Sequence, residues 1–383
     1  MWVFISIFVL IFYTLIVIYN GINILGLLRF FFPFFRSYAF WPLFILLCYS
    51  MIFIFLSRSE RFSSLRNMAL YPIPAMFYMA LFLVIFNFLL FLLRQFGNIS
   101  IIPGFYAAKT GIALIFTIII MFYGYFHAKD IKTVHYSVNL DGYSNGGSLR
   151  IVLISDTHIG GMTDRRWLGR IVDTVNASEP DIIFITGDIF DRNPGTMPDR
   201  ENKIAELRRL SARLGVYAVA GNHDVDRFTF GEEPETVTIN EFLESAGIVF
   251  LQDEVRLINN SFYLIGRRDI RPIGGSVIRK SASELAAGLD NSFPIIFLDH
   301  QPMEFREMEE AGADLILSGH THRGQFFPGN IATYFLFKRA GAVHYGHWRG
   351  ERAQGIVSSG AGVWGLVFRL GSGSEAVVID LQL

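Results

Sequence analysis

Residues 150–158 read RIVLISDTH: an apolar, largely β-branched run that ends in a carboxylate and an imidazole two positions apart. The same arrangement recurs four times. DIIFIT (181–186) is followed by GDIFD (187–191), VYAVA (216–220) by GNHD (221–224), PIIFL (294–298) by DH (299–300), and DLIL (314–317), one serine later, by GHTH (319–322). Short continuous apolar runs of this kind predict strands buried on both faces, and their alternation with longer charged, helical stretches predicts an α/β fold.

The residues directly after each run predict chemistry. In an α/β sheet the C-terminal ends of the strands face a common crevice, so five such ends deliver carboxylate, imidazole and amide groups to one place. The DxH and HxH spacings put two side chains on one face of an extended segment. Glycine before Asp188, Asn222 and His320 permits a sharp turn and a close backbone approach. A single DxH or GD pair is more often a turn or a helix cap. Five in succession, each directly after a buried strand, point to a metal centre.

These motifs, DTH, GDIFD, GNHD, LDH and GHTH, resemble those of the calcineurin-like metallophosphoesterases over about residues 149–383. GHTHRGQ, FFPGN and the tail SSGAGVWGLVFRLGSGSEAVVI are most similar to the membrane-bound bacterial branch with N-terminal transmembrane helices. The resemblance implies a four-layer α/β/β/α sandwich and two divalent metal ions. It implies that Asp156, His158 and His322 bind one metal, that Asn222, His300 and His320 bind the other, and that Asp188 bridges them. A shared carboxylate offsets the repulsion of two cations, and the mixed N/O donor set suits Mn, Fe or Zn, with Mn favoured. Arg323, where many relatives carry Gly, and Leu366-Val367, where two prolines are common, depart from the pattern in positions tied to substrate recognition.

Two metals predict attack on phosphorus by a metal-bridging hydroxide. His223 is the expected general acid, with the adjacent Asp224 as the carboxylate that orients it. Asp191 and Asp299 are candidates for orienting the metal-binding imidazoles, Asp191 equally for capping a turn. Arg267 and Arg268 either grip phosphate oxygens or form surface ion pairs. Arg323 is a candidate phosphate or headgroup contact. Phe326, Phe327, Tyr334, Phe335, Phe337, Tyr345 and Trp348 form either core or an apolar platform facing a bilayer.

The first third of the chain is a different kind of object. Of 383 residues only 17% are charged and 52% are hydrophobic, which excludes disorder, a coiled coil and a single soluble domain. Residues 1–128 carry a net +6 and residues 129–383 a net −7. Apolar stretches at about 2–19, 38–56, 75–93 and 111–126 predict four transmembrane helices, with 129–148 as a linker and 149–383 as the catalytic domain. A cleaved signal peptide is disfavoured, because the first stretch lacks a basic start and further spans come after it. Residues 26–35, GLLRFFFPFF, suit an interfacial segment or a simple loop. No ionisable residue is expected at mid-depth, which argues against transport. Arg58, Arg61, Arg66, Lys129 and Lys132 against Arg29, Arg36, Arg94 and Lys109 place the catalytic domain on the cytoplasmic side of the inner membrane. The single cysteine, Cys48, falls in the second span, so no disulfide is expected.

The expected function is therefore a membrane-anchored, dinuclear metal-dependent phosphoesterase, with a lipid-linked phosphate or pyrophosphate as substrate and the bilayer as partner. The acidic catalytic region argues against nucleic acid. The alternatives are a membrane-tethered phosphodiesterase of soluble nucleotides and a catalytically silent receptor or scaffold.

Overall fold

A computed structural model describes residues 2–52, 68–96, 103–140, 143, 147–160, 162–225, 236–270 and 279–383. The chain divides into two compact units, Met1–Gly124 and Tyr125–Leu383.

The first unit is helical, with α1 (Trp2–Phe31), α2 (Ser37–Cys48), α3 (Pro72–Phe96) and most of α4 (Pro103–Lys129). Proline opens α3 and α4, where its missing N–H has no helical partner to lose. Among the described residues three helices are long and apolar enough to cross a membrane: Ser6–Phe31, Pro72–Phe96 and Gly104–Lys129. Large apolar side chains such as Phe8, Phe88 and Phe122 stand exposed on them, as a lipid-facing surface requires. The fourth expected span is only partly described. Its helix, α2, has 12 residues with Pro42 inside, and at about 1.5 Å per residue it falls well short of a bilayer core. Residues 53–56 of that expected span lie outside the described residues.

Two further boundaries differ from expectation. Helix α1 runs on through Phe31, so residues 26–31 are helix rather than a separate segment. Helix α4 starts at Pro103, which puts Lys109 inside it and buried. There Lys109 Nζ donates to Asn87 Oδ1 on α3, and Asn87 Nδ2 donates to the Tyr19 hydroxyl on α1 at 2.6 Å. A lysine ammonium away from water needs such partners.

After the end of α4 the second unit continues with strand β1 (Ile131–Asn139), followed by β2 (Ser148–Ile154), α5 (Arg165–Ala177), β3 (Ile182–Thr186), α6 (Arg200–Leu207), β4 (Val216–Val219), α7 (Thr236–Ser245) and β5 (Val249–Phe250). Then come β6 (Glu254–Ile258), β7 (Phe262–Gly266), α8 (Ala282–Ala286), β8 (Ile295–Leu298), α9 (Phe305–Glu310) and β9 (Leu315–Ser318). A short turn of 3-10 helix (His322–Gly324) leads to α10 (Gly329–Arg339), β10 (Gly346–Arg349), β11 (Gln354–Val357) and β12 (Ser374–Gln382).

The strands form two six-stranded mixed sheets, ordered β1-β12-β2-β3-β4-β5 and β10-β11-β9-β8-β7-β6. Side chains alternate along each strand and so feed different cores. Ile151, Leu153, Ile182 and Phe184 meet Leu264, Ile296, Leu298 and Leu317 between the sheets. Val152, Ile154, Ile183 and Ile185 face the helical layer carrying Trp167, Leu168 and Ile171, while Ile295, Phe297 and Ile316 face Ala282, Leu285 and Phe305 on the far side. Four layers, α/β/β/α, result. In each sheet the metal-bearing strands run parallel to one another, β2 with β3 and β4, and β8 with β9, so their C-terminal ends emerge together.

Residues 129–148, expected as a linker, contain β1. IKTVHYSVN alternates, with Val134, Tyr136 and Val138 on its more buried face, and pairs in parallel with β12 from Ile131↔Ser374 to Asn139↔Gln382. Only Asp130 separates α4 from the first strand of the second unit.

Candidate metal centre

The five strand ends converge. His158, Asp156 and His322 bring ligand atoms within 4.8 Å of one another; so do Asp188, His300 and His320, and so do His158, Asp191 and His223. Asp156, His158, Asp188, His320 and His322 all have positive φ, between 47° and 71°. Left-handed backbone at non-glycine residues costs energy and persists where surrounding structure over-determines it, as at functional sites. Glycine makes the closeness possible. A Cβ on Gly319 would lie 1.8 Å from Ser155 Oγ and 2.4 Å from Asp156 Oδ2, and one on Gly221 would lie 2.2 Å from Asp188 Oδ1.

Within the first group, His158 Nε2 and His322 Nε2 stand 3.1 Å apart, and His322 Nε2 is 3.3 Å from Asp156 Oδ1. His158 Nδ1 faces Asp191 Oδ1 at 2.7 Å, which fixes the ring so that Nε2 is the atom presented to the site. The carboxylate of Asp156 is itself held by the His320 backbone N–H at 3.0 Å. In the second group His300 Nδ1 donates to the Thr186 carbonyl at 2.7 Å and its Nε2 faces Asp188 Oδ2 at 3.2 Å. Asp188 Oδ1 accepts from the His223 backbone N–H at 2.8 Å. His300 Nε2 and Asn222 Oδ1 are buried without an aligned hydrogen bond. Such orphaned atoms are costly unless something else binds them, and a cation satisfies both. The donor set therefore fits divalent metal.

Burial and charge set the protonation states. Burial opposes a charge on His158, but the Asp191 carboxylate, with Asp188 and Asp156 beyond it, outweighs burial and raises its pKa to about 9. His300 is likewise raised, against burial, by Asp188 and Asp156. Burial raises Asp156, whereas Asp188 is held well below the usual carboxylate range because the His300, His158 and His223 charges overcome its burial. His322 is lowered by burial, with His158 and Arg369 adding to the effect. The site favours carboxylate at Asp188 and neutral imidazole at His322, the forms in which each ligates.

Three expectations are corrected. Asp224 is not placed to orient His223 by its carboxylate: the group is fully buried and accepts from Gly221 N (2.8 Å), Phe190 N (2.8 Å) and Ile189 N (3.1 Å), bracing two ligand loops against each other. The carboxylate facing His223 Nδ1 is Asp191, at 3.8 Å. Arg267 is no substrate contact. It is 2% exposed and paired with Asp299 (3.2 Å), Glu304 (3.1 Å) and Glu307 (3.3 Å). Asp299, expected to orient an imidazole, spends both oxygens on Arg267 and Arg279. These side chains come after strands whose inner faces are already full, and the guanidinium groups and carboxylates neutralise one another below the surface. Arg268, half-buried, pairs with buried Asp253 at 3.7 Å.

Arg323 is exposed beside His322, its guanidinium stacked 4.4 Å over the Tyr345 ring, whose hydroxyl donates to buried Glu375 at 2.9 Å. Of the aromatics, Phe326 packs on Phe368, Trp348 on Phe305 and Phe337 against His320, while Phe327, Tyr334 and Phe335 are exposed.

Two residues had no signal in the sequence. Arg369 is wholly buried, its pKa lowered by burial to about 10, and it donates to the carbonyls of His322 (3.3 Å), Ser359 (2.7 Å) and Gly362 (2.8 Å), tying the HTH loop to the C-terminal segment. Trp364 is 58% exposed with its ring centroid 6.4 Å from that of His223.

The calcineurin-like phosphoesterase family model matches residues 149–324, the stretch that supplies every candidate ligand. Residues 149–324 are a calcineurin-like phosphoesterase domain. The chain is 31% identical over 241 residues to an uncharacterized metallophosphoesterase of Campylobacter jejuni, covering 61% of this chain and 59% of that protein. It is 31% identical over 289 residues to a transmembrane protein with metallophosphoesterase domain of Danio rerio, covering 72% of this chain and 63% of that protein. An uncharacterized metallophosphoesterase of Aquifex aeolicus is 28% identical over 269 residues, 68% of this chain and 95% of that protein. The chain thus spans about six-tenths of the length of the first two relatives. Arg369 and Trp364 lie beyond the matched residues, on the connection between β11 and β12, whose Ala361 and Gly362 backbone N–H groups donate to the carbonyls of Ser155 and Asp156.

Proposed function

We propose that the chain is a membrane-anchored metallophosphoesterase that hydrolyses a phosphate ester or pyrophosphate bond of a lipid-linked substrate. The observation that carries this reading is the pair of ligand groups, Asp156/His158/His322 and Asp188/His300/His320, buried but for half-buried His320, in a domain whose first strand is one residue from a membrane-length helix. Two divalent ions, Mn favoured, would be held by these residues with Asn222, Asp188 shared between them. When bound they supply an acidified water and positive charge for phosphoryl oxygens.

The chain's own residues do the rest. Asp191 fixes the His158 ring and faces His223, which presents its imidazole to the leaving oxygen and donates the proton there. Arg323, held over Tyr345, supplies an exposed cation for a phosphate or headgroup. Lys129 and Lys132, flanking the end of α4, support a cytoplasmic position for the catalytic unit. A lipid-linked substrate is favoured over a soluble nucleotide by the one-residue connection and by the exposed apolar side chains around the site.

The test is turnover by the full chain in detergent with Mn, wild type against Asp188→Asn, on a chromogenic phosphodiester and then on a total lipid extract scored by mass spectrometry. Equal rates for the two proteins would end the enzyme reading. Consumption of soluble nucleotides but of no lipid would replace the substrate class.

A further inference from the structure

Helix α10 comes after the liganding HTH loop and carries GNIATYFLFKR. No residue in it is buried. Its inner side is short: Thr333 Oγ1 meets His344 Nε2 at 2.8 Å, and the Phe337 ring lies 6.2 Å from that of the candidate ligand His320. The outer side is apolar. Ile331, Tyr334 and Phe335 stand at i, i+3 and i+4 with Lys338 at i+7, and Leu336 and Arg339 form the neighbouring row. Their exposures are 48% for Ile331, 45% for Tyr334, 62% for Phe335 and 65% for Leu336. A water-facing helix would carry polar and charged residues along this whole side instead of four large apolar ones ahead of a terminal pair of cations.

We propose that α10 is an interfacial helix that docks on an anionic phospholipid surface, with Phe335 and Leu336 in the acyl boundary and Lys338 and Arg339 at the phosphates. Three observations select lipid as the occupant. The apolar rows end in two cations in the last helical turn, the arrangement that complements headgroups above an acyl layer. The unit bearing α10 begins within a membrane-length helix, so the chain itself tethers it to the bilayer that helix would span. Arg323, in the ligand loop that leads into α10, adds an exposed positive charge. Docking through α10 brings the metal ligands to the interface, because its inner face leans on His320. The inference deepens the lipid-substrate reading and rests on it for its purpose, though its physical test does not.

The test places a spin label at Phe335→Cys in a Cys48→Ala full chain, reconstituted in nanodiscs of phosphatidylcholine with about one quarter phosphatidylglycerol. A label at Arg170→Cys on α5 serves as the aqueous reference. The expected result is a label at 335 relaxed by oxygen and shielded from a water-soluble nickel chelate, with the opposite at 170. A label at 335 as open to nickel as that at 170 overturns the proposal, and so does one shielded from both, which would mean a protein surface such as a second copy covers the helix. In a second measurement, Phe335→Ser/Leu336→Ser is expected to keep turnover of bis-nitrophenyl phosphate in solution. It should lose about tenfold or more on hexadecyl nitrophenyl phosphate held in vesicles, since two inserted apolar side chains are removed. Equal loss on both substrates overturns the docking role. A lipid-buried label without turnover of any lipid refutes the substrate reading alone; a wet label with lipid turnover refutes docking alone.

Discussion

Arg267 separates a substrate contact from a structural one, and Arg267→Met is the decisive change because it keeps the length and removes the charge. Arg267 and Asp299 are 2% and 0% exposed, and the guanidinium also reaches Glu304 and Glu307. Removing one partner of a buried ion pair costs about 3–5 kcal/mol, since the other charge stays behind. Here Arg279 remains on Asp299, so the lower end, about 3 kcal/mol, is expected. For a unit of this size each kcal/mol is worth about 2–4 °C, which predicts a fall in Tm of about 6–12 °C. The assay is thermal unfolding of the full chain in detergent by circular dichroism, alongside kcat and KM for a chromogenic phosphodiester at a temperature where the variant is folded. KM should hold within about twofold, because no exposed contact is lost. An unchanged Tm with KM raised about tenfold would refute the reasoning and return Arg267 to the substrate.

His223→Gln is expected to lower kcat by about 10²–10⁴-fold with metal content unchanged, measured by steady-state kinetics and elemental analysis. Asp191→Asn should lower both activity and metal affinity, because the same carboxylate serves His158 and His223; normal metal binding in it would remove the role assigned at His158. Metal affinity should rise with pH up to about 9, because the pKa of His158 is raised to about 9 and its proton must leave before the ring can bind. Calorimetry in buffers of different ionisation heat should show proton release below that pH; affinity independent of pH would contradict it. In chelator-stripped protein the sign reverses: the charged His158 stabilises the fold fully below its ordinary pKa of 6.5, and that contribution is lost as pH rises through about 9.

The strand ends are legible in the sequence because the information is local. A buried parallel strand needs a continuous apolar run, and the residues after it lie at the crevice, so DTH, GD, GNHD, DH and GHTH marked an α/β fold and a candidate metal centre, while the seven-ligand set and the four layers came from the resemblance to calcineurin-like metallophosphoesterases. Of the four apolar stretches, three coincide with described helices long and apolar enough to cross a membrane. Strand β1 was missed because its alternation is weak and half exposed, and because its partner, β12, is more than 200 residues away.

Adjacency in sequence misled wherever chemistry depends on which groups share a buried space. Asp224 comes directly after His223, yet its carboxylate turns to three backbone N–H groups, while Asp191 from another strand end faces the imidazole. Arg267 stands near strand ends like the ligands, yet the packing between β7, β8 and α9 seals it beneath carboxylates. Arg369 reaches His322 across 47 positions. Residue order alone sets which groups are available and on which strand ends they sit, because strand periodicity and chain direction are local properties. Which charges neutralise each other away from water is settled only in the packed fold, because desolvation depends on every neighbour in space and on none in particular along the chain.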